Sequence, residues 1–271
     1  MDRARIDGIE LEYEITGSGE PVLLVAPVVA DGFVPLVSEP ALGDYQLIRY
    51  HKRGWLGSTH TAGPVSIEQH AEDAIGLLDR IGVHRAHLVG HSSGACIAAQ
   101  IALDTAERVV TVGLLEPSPL TTPAGQAFAR QASPVFDLYG SGNHEAALAA
   151  FMSAVSGLDW SACQALLTQR IPDAVANGVK DIQTLFEIEL PSLTKWSFDA
   201  DKVARIRQPV LSVVGSETGA MWLDIAAFMR TTIPNVDERT IEGAGHLLQI
   251  QEPTAVATAI ADFLRRHPIG G

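Results

Sequence analysis

The sequence predicts an α/β fold with a mostly parallel central sheet, flanked by helices and opened by a helical insertion. Three observations predict it. A continuous apolar run at 22–25 and mostly apolar runs at 86–90, 109–115 and 210–214 show the pattern of strands buried on both faces. Segments of helical periodicity alternate with them, as in sheets whose parallel strands are joined by crossover helices. That rhythm breaks only between 118 and 199, where helical stretches occur without a convincing strand.

Taken in order, Ile9, Leu11, Tyr13 and Ile15 alternate with polar residues, which reads as an antiparallel lead-in, and Gly17-Ser18-Gly19 supplies a turn. Strands at 22–25 and 46–50 follow, with 52–58 as the loop leaving the second. Ser66 is placed to cap a helix running to about residue 81, because Ile67, Ala71, Ala74, Ile75, Leu78 and Ile81 fall on one face. Gly82 sits where a helix ends. A strand at 86–90, a helix at 94–104 and a strand at 109–115 come next. Within the insertion, 144–155 and 173–190 read as helices. Beyond it stand strands at 210–214 and 237–241 and helices at 221–231 and 253–266. The expected organisation is one core built from 1–117 and 200–271, with 118–199 as a helical domain set into it.

Of the 271 residues, 46% are hydrophobic and 19% charged, a balance that supports a large core and argues against disorder. Lys and Arg number 19 against 32 Asp and Glu, a net charge of −13 that repels phosphate backbones and anionic lipid. Neither nucleic acid nor a membrane is therefore expected as a partner. The N-terminal segment lacks an apolar signal region, and the apolar stretch at 22–30 falls short of a bilayer span. Cys96 and Cys163 are too few for a disulfide framework. A cytoplasmic protein is expected. The chain has no Gly-Lys pair for a P-loop, no G-x-G-x-x-G after a strand, and no partners at metal-ligand spacing for His84 or His87, so neither cofactor nor metal is expected.

Gly90-His91-Ser92-Ser93-Gly94 is the one G-x-S-x-G in the sequence. A strand leads into it and a helix leads out, the setting that holds a serine on a strained turn whose near neighbours must lack bulk. The helix after it aims N–H groups and a positive dipole end at any anion forming there. His91 reads as a hydrogen-bonding residue of the turn and Cys96 as a small core residue. Near the far end of the chain stands Gly243-Ala244-Gly245-His246.

With this motif, the helical insertion and the late histidine, the chain resembles the α/β-hydrolase superfamily over nearly its full length. The resemblance implies a nucleophile at Ser92, a general base at His246 and a helical cap at 118–199. Its acid usually follows the strand after the cap, where this chain has Glu217. Some relatives, certain lactonases and haloalkane dehalogenases among them, keep it one strand earlier, where this chain has Glu116. Glu116 is the favoured candidate, because a lone acid ending an apolar strand needs a partner such as an imidazole. The family's oxyanion donors carry over as the N–H groups of Ser93 and, since Pro27 has none, Val28.

The resemblance further implies a cofactor-independent serine hydrolase for a small, largely apolar ester or lactone, working through an acyl-enzyme. Of Phe128, Phe136, Tyr139, Phe151, Trp160, Phe186, Trp196 and Phe198, most are expected in the core of the insertion and a few beside Ser92. Carbon–carbon bond hydrolysis, lyase activity, perhydrolysis and a receptor with little turnover share the same fold. Relatives that use aspartate as nucleophile are disfavoured by the serine.

Overall fold

The structure, a computed structural model, describes residues 1–270. Its centre is a sheet of eight strands: β1 (Asp2–Ile6), β2 (Ile9–Thr16), β3 (Glu20–Val25), β4 (Tyr45–Tyr50), β5 (Ala86–His91), β6 (Val109–Leu115), β7 (Val210–Gly215) and β8 (Val236–Ile241). Their spatial order is β1-β2-β4-β3-β5-β6-β7-β8. The pairs β1–β2 and β2–β4 are antiparallel and every other pair is parallel, as the lead-in and the crossover rhythm require.

Because successive side chains of a strand point to opposite faces, the doubly apolar strands feed two cores. Leu23, Val25 and Leu88 enter one, with α1 (Ile67–Arg80) and α2 (Ser93–Asp104). Val22, Leu24 and Val89 enter the other. Ser66 accepts the N–H of Gln69 at the start of α1, and Gly82 past its end adopts a φ of +75°.

Between β6 and β7 every regular element is a helix: α3 (Pro123–Gln131), α4 (Pro134–Gly140), α5 (His144–Ser156), α6 (Trp160–Arg170), α7 (Ala174–Lys180), a π-helical stretch at Thr184–Glu189, α8 (Leu190–Leu193) and α9 (Ala200–Val203). The single helix expected at 173–190 is broken at Asp181 and widens to π-helical turns beyond it. Bonds to the core explain the departure. Asp181 accepts the Leu56 N–H at 2.7 Å, Thr184 donates to the Gly54 carbonyl at 2.6 Å, and Glu189 pairs with Lys52. π-Helical turns accommodate such side-chain demands at the expense of regular i→i+4 bonding.

After β7, α10 (Ala220–Thr232) joins the core that holds α1 and α2, whereas α12 (Pro253–Arg265), preceded by the short α11 (Leu248–Gln251), packs on the opposite face of the sheet. Among the described residues no single helix is long and apolar enough to cross a membrane.

Candidate active site

Ser92 stands between β5 and α2 with φ 55° and ψ −119°, a conformation that an L-residue adopts only when its surroundings enforce it. The surroundings are two close backbone approaches. A Cβ on Gly90 would lie 2.3 Å from the Gly94 carbonyl oxygen, and one on Gly94 would lie 2.0 Å from that of Val25. Glycine at both positions lets the elbow close. Ser93 begins α2, so its N–H has no intrahelical acceptor and lies at the positive end of the helix.

His246 arrives on the loop after β8. A Cβ on Gly215 would lie 2.1 Å from the Ala244 carbonyl oxygen, so the ends of β7 and this loop pack backbone to backbone. The imidazole Nε2 lies 3.1 Å from Ser92 Oγ, and Nδ1 lies 2.6 Å from Glu116 Oε2. Glu116 directly follows β6 with φ +44° and is fully buried. Its other oxygen accepts the Gly215 N–H at 2.8 Å, and Thr218 donates to Oε2 at 2.9 Å. The structure thus brings Ser92, His246 and Glu116 together. Glu217 is exposed, and its one hydrogen bond among the described residues is from its backbone N–H to the Ala244 carbonyl.

Burial lowers the proton affinity of His246 and raises that of Glu116, where the Gly215 N–H and the Thr218 hydroxyl pull the other way. Neutral imidazole, with its proton on the Glu116 side, leaves the Nε2 lone pair facing Ser92. His91 braces this ring. Gln249 donates to its Nδ1 at 2.9 Å, so its Nε2–H donates to the His246 carbonyl at 2.8 Å. Cys96 lies fully buried, and burial pushes its thiol up to about 12, which suits packing and not nucleophilic attack.

Ser92 and His246 open into a cavity of about 20 Å³ lined by Val28, Val29, Phe151, Met152 and Val155. That is room for one water. A second cavity of about 30 Å³ shares Val28, Val29 and Met152 and continues to Leu148, Leu185, Asp31 and Asp181. The Val28 N–H donates to no acceptor among the described residues. Of the aromatic residues expected in the insertion, Phe151 lines the Ser92 cavity, whereas Tyr139 and Phe186 stack on each other at 4.5 Å and Phe136 is exposed.

Sequence reasoning missed three further features. Trp222 of α10 stacks on His246, ring centroids 4.0 Å apart, and donates through Nε1 to Ser118 Oγ at 3.0 Å. Ser118 Oγ in turn lies 3.1 Å from Ser92 Oγ. Behind the elbow, Lys52 donates to Ser93 Oγ at 3.3 Å and pairs with Glu189, which also accepts Trp55 Nε1. No local spacing announces any of these; only the position of Ser118 two residues past Glu116 was a hint. Among the described residues, no three His, Cys, Asp or Glu side chains cluster as metal ligands do.

A hydroxyl facing a neutral imidazole, a carboxylate behind that imidazole and free N–H groups at a helix start form a set able to attack a carbonyl and hold the resulting oxyanion. A family model described as alpha/beta hydrolase fold matches residues 29–253. RutD of Azorhizobium caulinodans, assigned as a carbamate hydrolase, is 39% identical over 101 residues, which span 37% of this chain and 38% of that protein's length. A 2-hydroxy-6-oxononadienedioate/2-hydroxy-6-oxononatrienedioate hydrolase of Burkholderia vietnamiensis is 26% identical over 280 residues, spanning 96% and 93% of the two chains. Among solved structures, the enol-lactonase from Burkholderia xenovorans LB400 matches with a TM-score of 0.81 and 21% identity over 97% of this chain and all of that one, a likeness of fold alone.

Proposed function

The chain belongs to the alpha/beta hydrolase fold family, and from that premise we propose that it is a serine hydrolase of small, uncharged esters or lactones. One observation carries the reading: Ser92 Oγ, His246 and Glu116 form an unbroken hydrogen-bonded line, with contacts of 3.1 and 2.6 Å. Ser92 attacks the acyl carbon while His246 Nε2 takes its proton. Glu116 holds the imidazole in the required tautomer and offsets the charge it gains. The N–H groups of Val28 and Ser93 receive the oxyanion. His246 then returns the proton to the departing alcohol, and water releases the acid by the same steps in reverse order of roles.

Charge decides between substrate classes. The two cavities beside Ser92 carry Asp31 and Asp181 and, among the described residues, no Lys or Arg. Asp31 is itself offset by Arg49 at 2.7 Å, and among the described residues no cation lines either cavity to receive a dianion such as the dioate named for the Burkholderia vietnamiensis relative, so carbon–carbon bond hydrolysis of diacids is the weaker reading. We assign 118–199 the part of a cap: Phe151, Met152 and Val155 of α5 close over the serine, and a cavity of about 20 Å³ admits substrate only when they move aside. A panel of p-nitrophenyl esters, alkyl lactones and a hydroxy-oxo-dioate, run with wild type and Ser92→Ala, tests the assignment. Neutral esters or lactones should turn over in the wild type alone; preferred turnover of the dioate would overturn the substrate class.

A further inference from the structure

Among the described residues, two side-chain partners reach Ser92 Oγ: His246 Nε2, and the hydroxyl of Ser118 at 3.1 Å. Resting on the reading of Ser92 as nucleophile, we propose that Ser118 is a further catalytic residue, whose O–H donates to Ser92 Oγ and assists its departure when the acyl-enzyme breaks down.

Counting protons gives the direction of that bond. An indole N–H can only donate, and Trp222 Nε1–H donates to Ser118 Oγ at 3.0 Å. The Ser118 proton then has two acceptors in range, Ser92 Oγ at 3.1 Å and the Glu116 carbonyl at 3.4 Å. If Ser92 donated to Ser118 instead, His246 Nε2 would be a buried acceptor with no donor, since Nδ1 faces Glu116. The arrangement that satisfies every group runs from Trp222 to Ser118, from Ser118 to Ser92, and from Ser92 to His246. Each donor in such a chain polarises the next.

A donor on Oγ acts unequally in the two halves of the reaction. In acylation Oγ forms its bond to the acyl carbon starting from a hydroxyl that already accepts the Ser118 proton, so the donor gains little there. The bond that breaks joins the acyl carbon to the substrate's alcohol oxygen, which Ser118 does not touch. In deacylation water adds to the acyl carbon and gives its proton to His246 Nε2. The bond from the acyl carbon to Ser92 Oγ then breaks, its electron pair goes to Oγ, and the imidazolium returns the proton there. Ser118 keeps its own proton and stabilises the charge growing on Oγ. Trp222 is a positioning residue in this scheme: it orients the Ser118 hydroxyl and, stacked at 4.0 Å, the His246 ring.

Stopped-flow hydrolysis of a p-nitrophenyl ester separates the two halves. Ser118→Ala should lower steady-state kcat by about 10- to 100-fold, the value of a hydrogen bond to a developing charge, while the acylation burst slows by less than about threefold. Ser118→Thr, which keeps a hydroxyl, should recover most of kcat. Trp222→Phe keeps a stacked ring without the N–H and should show the same split at about two- to fivefold, a second reading should Ser118→Ala fold poorly. Burst and steady state falling together, or kcat unchanged in Ser118→Ala, overturns the proposal while covalent labelling of Ser92 by a fluorophosphonate leaves the hydrolase reading standing. A wild type with neither burst nor labelling overturns both.

Discussion

His246 Nδ1 lies 2.6 Å from Glu116 Oε2, joining residues 130 positions apart in the chain. Glu116 follows β6, beside the strand that leads into Ser92, and reaches across the end of β7, where the Gly215 N–H holds its other oxygen. Glu116→Gln keeps an acceptor but removes the charge and can hold the wrong tautomer. It should lower kcat by about 10²- to 10⁴-fold. Glu217→Gln, at an exposed position, should stay within about twofold. The reverse ranking, measured side by side on one ester, would move the acid to the other strand.

The buried Lys52–Glu189 pair joins the loop after β4 to the π-helical stretch of the insertion, each side chain 1% exposed. Burial opposes the charge on Glu189, but Lys52 and His70 beside it hold its carboxyl below the usual range. Removing one partner strands the other in a dry interior. Glu189→Gln or Lys52→Met should cost about 3–5 kcal/mol in urea denaturation, and the double variant Lys52→Met/Glu189→Leu less than either single. A double variant as unstable as the sum of the singles would show that the pair's charge is not what each single change exposes.

His70 is fully buried, and burial drives its imidazole down to about 4, against about 6.5 in an unfolded chain. Between those values the unfolded state binds the extra proton, so this residue costs stability as pH falls from about 6.5 to about 4 and costs none above that window. Across it the wild type should lose about 3 kcal/mol more than His70→Leu, read from urea midpoints at a series of pH values. Parallel curves would contradict the assignment of that acid sensitivity to His70.

Two glycines make a contrasting pair. A Cβ on Gly94 would lie 2.0 Å from a carbonyl oxygen of β3, whereas one on Gly140, at the end of α4, meets nothing within 4 Å. Gly94→Ala should therefore unfold the protein or abolish turnover, because neither backbone can yield. Gly140→Ala should raise stability by up to about 1 kcal/mol, by thermal melting.

The strands and core helices were legible in the sequence because burial on both faces leaves uninterrupted apolar runs, as at Val22 to Val25, and because Ser66 and Gly82 punctuate α1 in the ordinary way. Ser92 stood out for a related reason: the close backbone packing at Gly90 and Gly94 demands small neighbours that are visible locally. His246 followed a glycine, Gly245, where a Cβ would lie 3.2 Å from the Ser156 carbonyl oxygen. Glu116 was less visible, since its partner is an imidazole far along the chain. Ser118, Trp222 and the Lys52–Glu189 pair were illegible, each defined by contacts between distant segments, such as the 104 positions separating Trp222 from Ser118. The interruption at Asp181 belongs to the same group. Local propensity favoured one helix, and bonds to Leu56 and Gly54 decided otherwise.

The most direct test is covalent: brief exposure to a fluorophosphonate, then intact-mass measurement and peptide mapping. The wild type should gain one adduct on the peptide carrying Ser92, Ser92→Ala should gain none, and His246→Ala should react at least about 100-fold more slowly. An unmodified Ser92 in the folded wild type, or ester turnover surviving in Ser92→Ala, would contradict the assignment of this serine as the nucleophile.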